Sequence, residues 1–274
     1  MSKIVVVKTG SQVSLDPIHS GFAHGFGIFE TIRLFAGRLC FWEAHCERLF
    51  RSAKAFNMSF DQTGDAVLNA IKELVQTENF RDVLIKVSLL RADEDTHCYV
   101  YARPVAATVG KVRLKLAKEA PLNEHALLAG HKTHNYMEAM HLLKTVRSDG
   151  FSDLIRINTA GFLAETTVAN LFFIEGEVLH TPDLSTGILP GVVRAEVLTL
   201  AKALSMHVEE GLYPIEKLQK CSVVFMTNAS IGIQPVAAIE SGDVSIELET
   251  SHPMINRLKT ALADAEMRKS IQLI

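Results

Sequence analysis

Lys132 is the residue with the most chemistry open to it, because a lysine amine condenses with carbonyls and carries protons when an acid and an anion site stand nearby. It opens the run Lys132-Thr133-His134-Asn135-Tyr136 at an expected loop-to-helix junction. Glu165 follows Gly161-Phe162-Leu163-Ala164 and precedes Thr166-Thr167-Val168-Ala169-Asn170, a small, hydroxyl-rich stretch. In Gly187-Ile188-Leu189-Pro190-Gly191-Val192-Val193-Arg194 a glycine-flanked turn feeds a proline-started helix. The first backbone N–H groups of such a helix, at Gly191, Val192 and Val193, suit a phosphate or carboxylate. Each feature also has an ordinary reading. Lysines are mostly solvated, glycine starts many helices, and Arg48 can sit on a solvated helix face paired with Glu43 or Glu47. Residue types and spacing alone leave the function unnamed.

Other signatures fail on inspection. Gly130-His131-Lys132-Thr133 resembles the tail of a phosphate-binding loop, but that loop needs glycine directly before lysine and another five positions earlier, where this chain has His131 and Ala126. Gly21 to Gly27 is glycine-rich without the dinucleotide spacing, and it opens a strand. His131, His134 and His141 have neither an H-E-x-x-H arrangement nor a cysteine partner, so no metal site is expected. There is no G-x-S-x-G elbow.

The elements that must position these groups are readable from periodicity and turn chemistry. Lys3–Lys8 reads as a strand, and 27–35 and 38–42 as a hairpin turning on Ala36-Gly37. Residues 43–56 and 64–75 repeat apolar positions at helical spacing. Residues 83–90, 99–109 and 112–117 are β-branched runs of strand type. Residues 136–148, 190–206 and 253–267 read as helices, with shorter strands at 154–158, 162–163, 171–174, 178–180 and 223–226. Lys118-Glu119-Ala120-Pro121-Leu122-Asn123 is the best boundary. The expectation is a mixed α+β chain of two domains, a smaller one at 1–118 and a larger one at 119–274 carrying Lys132.

Composition narrows the class further. The 274 residues are 48% hydrophobic and 22% charged, with 16 glycines and 8 prolines, as in a globular protein. A net charge of −3 with one tryptophan offers little to nucleic acid or anionic lipid. No stretch approaches a membrane span, and no export signal opens the chain. Cys40, Cys46, Cys98 and Cys221 form no framework and are expected to stay reduced in a cytoplasm.

Six segments in register resemble the fold-type-IV pyridoxal-phosphate enzymes, which include branched-chain aminotransferases, D-amino-acid aminotransferases and aminodeoxychorismate lyases. They are Gly25-Phe26-Gly27-Ile28-Phe29-Glu30-Thr31-Ile32-Arg33, His45-Cys46-Glu47-Arg48-Leu49, the Lys132 run, Gly161 to Phe172, Gly187 to Gly191, and Thr227-Asn228-Ala229-Ser230 ahead of Pro235. The resemblance implies pyridoxal 5'-phosphate lying between two domains, in a cytoplasmic homodimer acting on a small amino substrate. It implies Lys132 as the lysine that carries the cofactor and moves the substrate proton. By the same resemblance Glu165 pairs with the pyridine nitrogen and Tyr136 lies near the phenolic oxygen. The phosphate goes to Arg48, Val192, Val193 and the Ala229-Ser230 turn. Phe29, Thr31 and Asn228 look like the lyase group, with Arg91 and Arg103 as candidates for substrate carboxylates. Transamination of D- or branched-chain amino acids is the alternative, and a non-enzymatic relic of the fold a remote one. Phe26, Val193 and the acidic Asp93-Glu94-Asp95 depart from the family pattern.

Overall fold

The structure, a computed structural model, describes residues 1–105, 110–242 and 244–274. The chain divides into two compact units. The first comprises Met1–Ala107, His131–Asn135 and Ala265–Ile274, and the second Thr108–Gly130 and Tyr136–Asp264.

In the first unit a six-stranded sheet runs in the order Ile4–Val6, Asp95–Arg103, Val83–Ala92, Gly27–Phe35, Arg38–Cys40, Ser270–Gln272. The expected hairpin forms, with Ala36 and Gly37 at φ of 49° and 75°. Two left-handed residues give a turn whose twist matches that of the strands. Glycine is required at 37 for a second reason, since a Cβ there would stand 2.8 Å from the Ile274 carbonyl oxygen. The strand ends at Cys40 rather than at Trp42, because Phe41 turns left-handed and the helix Trp42–Ala55 begins directly after it. That helix and Gly64–Glu78, N-capped by the Thr63 hydroxyl, bury Trp42, Leu49, Ile71 and Leu74 with Ile28, Ile32 and Leu34 of the sheet. Side chains alternate along a strand, so Glu30 shares the core-facing parity of Ile28 and Ile32, while Phe29 and Thr31 point the other way. The tip of the run expected at 99–109 falls at 106–109, outside the described residues; the strand itself is Asp95–Arg103.

The second unit is built on a sheet in the order His207–Gly211, Val178–Pro182, Asn170–Glu175, Leu163–Thr166, Asp153–Asn158, Arg113–Leu122, Ala238–Ser241, Val244–Glu247. Val223–Asn228 also pairs with Asn170–Glu175, and Phe172 stacks on Phe225 at 5.0 Å between centroids. The polar 118–121 stretch is part of the strand Arg113–Leu122, which pairs with Asp153–Asn158 through a register shift between Ala117 and Leu122. Pro121 has no N–H for a ladder, so a bulged strand carries the composition of a linker. The division of the chain accordingly falls earlier, at Ala107/Thr108. Among the described residues, no helix is long and apolar enough to cross a membrane.

Lys132 packs with the first unit, not the larger second one. Its carbonyl accepts from the Phe29 N–H at 2.9 Å, and the His134 N–H donates to the Gly27 carbonyl at 2.8 Å. Two backbone bonds and the Ile28–Thr133 bridge fasten the lysine segment to the start of the hairpin strand.

Candidate active site

Arg48 is buried, so it does not sit on a solvated helix face. Its Nε donates to Glu30 Oε1 and its Nη2 to Glu30 Oε2, each at 2.7 Å. His45 Nδ1 lies 2.8 Å from the same Oε2. Burial alone would push the Glu30 carboxyl up, but Arg48 and His45 outweigh it and hold the group well below the usual carboxylate range. Burial pushes His45 down despite the opposing pull of Glu30. One helix turn on, Ser52 Oγ meets His131 Nδ1 at 2.9 Å, next to Lys132. The polar stripe His45, Arg48, Ser52 lies on the inward side of an otherwise apolar helix face.

The opposite face of the strand Gly27–Phe35 gathers cations. Lys86 pairs across the sheet with Thr31, and its Nζ donates to Thr31 Oγ1 at 2.8 Å. The same Nζ lies 3.7 Å from the centre of the Phe29 ring, and Lys132 Nζ lies 4.6 Å from it. Burial, then Lys132, then Arg103 push Lys86 down to about 7, against a weaker pull from Glu30. Burial and Lys86 push His134, tilted against Phe29, down to about 4. Among the described residues Lys86 makes no ion pair.

The second unit presents an acid and a helix start without a side-chain cap. Glu165 Oε2 accepts from Asn170 Nδ2 at 3.0 Å and from the Leu189 N–H at 3.1 Å. The helix expected from Pro190 begins at Val192, because Gly191 is still extended (φ −65°, ψ 137°) and serves as N-cap. Gly191 has no side chain to cap the first turn, so the first N–H groups, those of Val192 and Val193 among them, have no side-chain cap. Tyr136 is the N-cap residue of the helix Met137–Ser148. Asn228, a candidate substrate residue, is occupied in holding its own turn. Its Nδ2 donates to the Val168 carbonyl at 3.1 Å, and its Oδ1 accepts from Ser230 N–H at 2.8 Å and Ile231 N–H at 3.0 Å. The Ser230 backbone N–H is thereby spent within the turn.

The two candidate arginines differ. Arg91 braces a hairpin tip: its Nε donates to the Asp93 carbonyl at 2.7 Å, its Nη1 to the Asn57 carbonyl at 3.2 Å, and it pairs with Glu94 at 3.5 Å. The acids at 93–95 sit at this tip, where Glu94 is fully exposed and Asp93 adopts φ of 54°. Arg103 pairs across from Leu84, on the strand next to Lys86, and is exposed. Sequence reasoning missed Glu30, His45, Lys86 and Asn170. Glu30 leaves a trace, being a carboxylate at a core parity of an amphipathic strand. So does Lys86, a lone cation inside the apolar run 83–90.

Residues 27–239 match the family Amino-transferase class IV, and the chain belongs to it. The family is pyridoxal-phosphate-dependent. Among its relatives, aminodeoxychorismate lyase of Bacillus subtilis is 28% identical over 82% of this chain and 82% of its own. Branched-chain-amino-acid aminotransferase of Escherichia coli is 25% identical over 79% and 77%. A Legionella pneumophila protein, provisionally described as a 4-amino-4-deoxychorismate lyase, superimposes with a TM-score of 0.88 at 28% identity over 96% and 99% of the two chains. The Escherichia coli branched-chain aminotransferase shares the fold, with a TM-score of 0.87 at 20% identity over 95% and 94%. The residues present fit the family's cofactor. An uncapped helix start suits its phosphate, and a carboxylate held by two N–H donors suits its ring nitrogen.

Proposed function

We propose that this chain is a pyridoxal-phosphate-dependent 4-amino-4-deoxychorismate lyase, splitting its substrate into 4-aminobenzoate and pyruvate. Lys86 carries the choice of reaction. It is a buried cation, hydrogen-bonded to Thr31 and set beside Lys132, with no ion-pair partner among the described residues. A buried charge without its opposite is costly, and an anionic ligand offsets that cost. Aminodeoxychorismate carries carboxylates remote from its amine, whereas a branched-chain amino acid has only the one on its amine-bearing carbon. The similarity to the Bacillus subtilis lyase supports the same reading.

In this reading pyridoxal phosphate, when bound, supplies the electron sink for the carbon next to the substrate nitrogen. Glu165 holds a proton on the pyridine nitrogen, and Tyr136 hydrogen-bonds the phenolic oxygen. Arg48, the Val192 and Val193 N–H groups and, in the Ala229-Ser230 turn, the Ala229 N–H and the Ser230 hydroxyl would hold the phosphate. Lys132 Nζ is the catalytic base: it takes the proton from the ring carbon bearing the amine. The electron pair left behind expels the enolpyruvyl oxygen, and the ring becomes aromatic. Lys86, with Arg103 at its side, receives a remote carboxylate, while Phe29 and Thr31 shape the floor. No keto-acid acceptor is consumed. The reading extends to a cytoplasmic homodimer in folate synthesis, with sizing chromatography reporting the assembly.

The test is an assay for 4-aminobenzoate and pyruvate from aminodeoxychorismate, run beside transamination of D-alanine and leucine. Stoichiometric release of both products is expected. Rapid transamination without 4-aminobenzoate would move the chain to the aminotransferase branch. Borohydride reduction followed by peptide mapping should place the cofactor on Lys132; an adduct on another lysine overturns that role.

A further inference from the structure

Asn170 is buried at the start of the strand Asn170–Glu175, opposite Glu165 in the hairpin register. Its Nδ2 has two acceptors, Glu165 Oε2 at 3.0 Å and the Leu189 carbonyl at 2.8 Å. The Leu189 N–H returns to Glu165 Oε2 at 3.1 Å. Three groups therefore close a small ring: carboxylate, turn peptide, side-chain amide. The amide is planar, so its two N–H directions fix where the carboxylate stands relative to the turn.

Gly191 ends that turn. Its φ of −65° is open to any residue, so the backbone conformation does not call for glycine. Space does. A Cβ at 191 would stand 2.0 Å from Asn170 Oδ1 and 3.2 Å from its Cγ, whereas Arg194 Cβ lies 3.3 Å away. The glycine is thus explained by the asparagine amide packed over it.

We infer that Asn170 is a positioning residue which locks the Glu165 carboxylate to the start of the helix Val192–Ala203, and that Gly191 is glycine to admit it. One side chain then sets both the acid and the anion seat. The inference rests on the proposed function for the meaning of those two seats, but not for the lock itself. Displacing Asn170 from either side should have the same consequence, because both routes break the same ring of hydrogen bonds.

The experiment uses Asn170→Ala, Gly191→Ala and the double variant, in the full chain with and without pyridoxal phosphate. In the apoprotein, each single variant is expected to weaken inorganic phosphate binding on the order of tenfold, the size of one lost buried hydrogen bond. The double variant should be no worse than either single one, a non-additivity that marks a shared contact. Asn170→Ala should also restore the thermal midpoint lost in Gly191→Ala, since the clashing oxygen is gone. With cofactor bound, the pH midpoint of its absorbance should move in Asn170→Ala, which a merely structural asparagine would leave in place. Additive losses, no rescue of Gly191→Ala, or an unmoved absorbance midpoint would overturn the lock. A wild-type protein that loads no cofactor would overturn the proposed function instead. The lock would then be decided by the amide resonances of Leu189 and Val193 in the apoprotein. Matching shifts in the two single variants support it, and unrelated shifts sink it.

Discussion

Glu30 reaches Arg48 from the core-facing side of its strand, giving one carboxylate oxygen to Nε and the other to Nη2, both at 2.7 Å. The guanidinium fork and the carboxylate match in shape, so the pair fixes the orientation of Arg48 as well as its charge. His45 adds a third contact to the same acid.

Removing this carboxylate should take from buried Arg48 the charge that grips its Nε and Nη2. Breaking one side of a buried pair costs ~3–5 kcal/mol, so Glu30→Gln should lower the thermal midpoint markedly. Added inorganic phosphate should raise that midpoint more in the variant than in the wild type, since the anion replaces the lost charge. The pH dependence follows from the depressed Glu30 carboxyl. Its stabilisation is present above the unfolded carboxylate value and is lost as pH falls below it. Acid unfolding of Glu30→Gln should therefore be shallower below about pH 4.5. Melts across pH, with and without phosphate, check both parts.

How much of this was legible in the sequence depended on the range of the interaction. The hairpin at Ala36-Gly37, the helix over 64–75 and the glycine-led helix start at Val192 are local, and turn chemistry and helical spacing show them. Glu30 with Arg48, and Lys86 with Thr31, join residues far apart in sequence, and only strand register brings them together. Pro190 and the 118–123 stretch misled for one reason: composition cannot tell a bulged strand or a two-residue lead-in from a helix start or a linker.

Asn228 is expected to act on the turn rather than on substrate. Its amide holds the Val168 carbonyl and two N–H groups of the Ser230-Ile231 turn. Asn228→Ala should cost roughly 1 kcal/mol of stability through part-buried groups left unsatisfied and weaken cofactor binding. The Michaelis constant for substrate, measured at saturating cofactor, should stay near wild type. A large rise there with cofactor affinity unchanged would return Asn228 to substrate binding.

The two arginines should separate cleanly. Arg91 is spent on the carbonyls of Asp93 and Asn57. Arg91→Ala should lower stability and leave the Michaelis constant nearly unchanged. Arg103 adds to the positive field on Lys86. Arg103→Ala should raise the pH at which Lys86 loses its proton and weaken substrate binding at the same time. Steady-state kinetics of both variants, run beside thermal melts, make the comparison; the reverse pattern would exchange their roles.

Lys86 gives the sharpest prediction, because its stability and binding effects have opposite signs. Burial, Lys132 and Arg103 bring it from the usual 10.5 down to about 7. Between those values the unfolded chain holds a proton that the folded chain has released, so raising the pH through this window stabilises the fold. Below pH 7 the penalty of the buried cation is complete. Lys86→Met should therefore be more stable than wild type at pH 6, with the advantage fading as pH rises toward 10.5. Binding runs the other way. A substrate carboxylate needs Lys86 charged, so wild-type affinity should be highest below about pH 7 and fall above it. In Lys86→Met affinity should drop by about 2–5 kcal/mol at pH 6 and lose this pH dependence, with Thr31 and Phe29 unchanged around it. Michaelis constants from pH 6 to 9, set beside melts over the same range, decide the matter. A variant that gains stability but binds aminodeoxychorismate as well as wild type would leave Lys86 without a part in recognition and remove the observation on which the lyase reading rests.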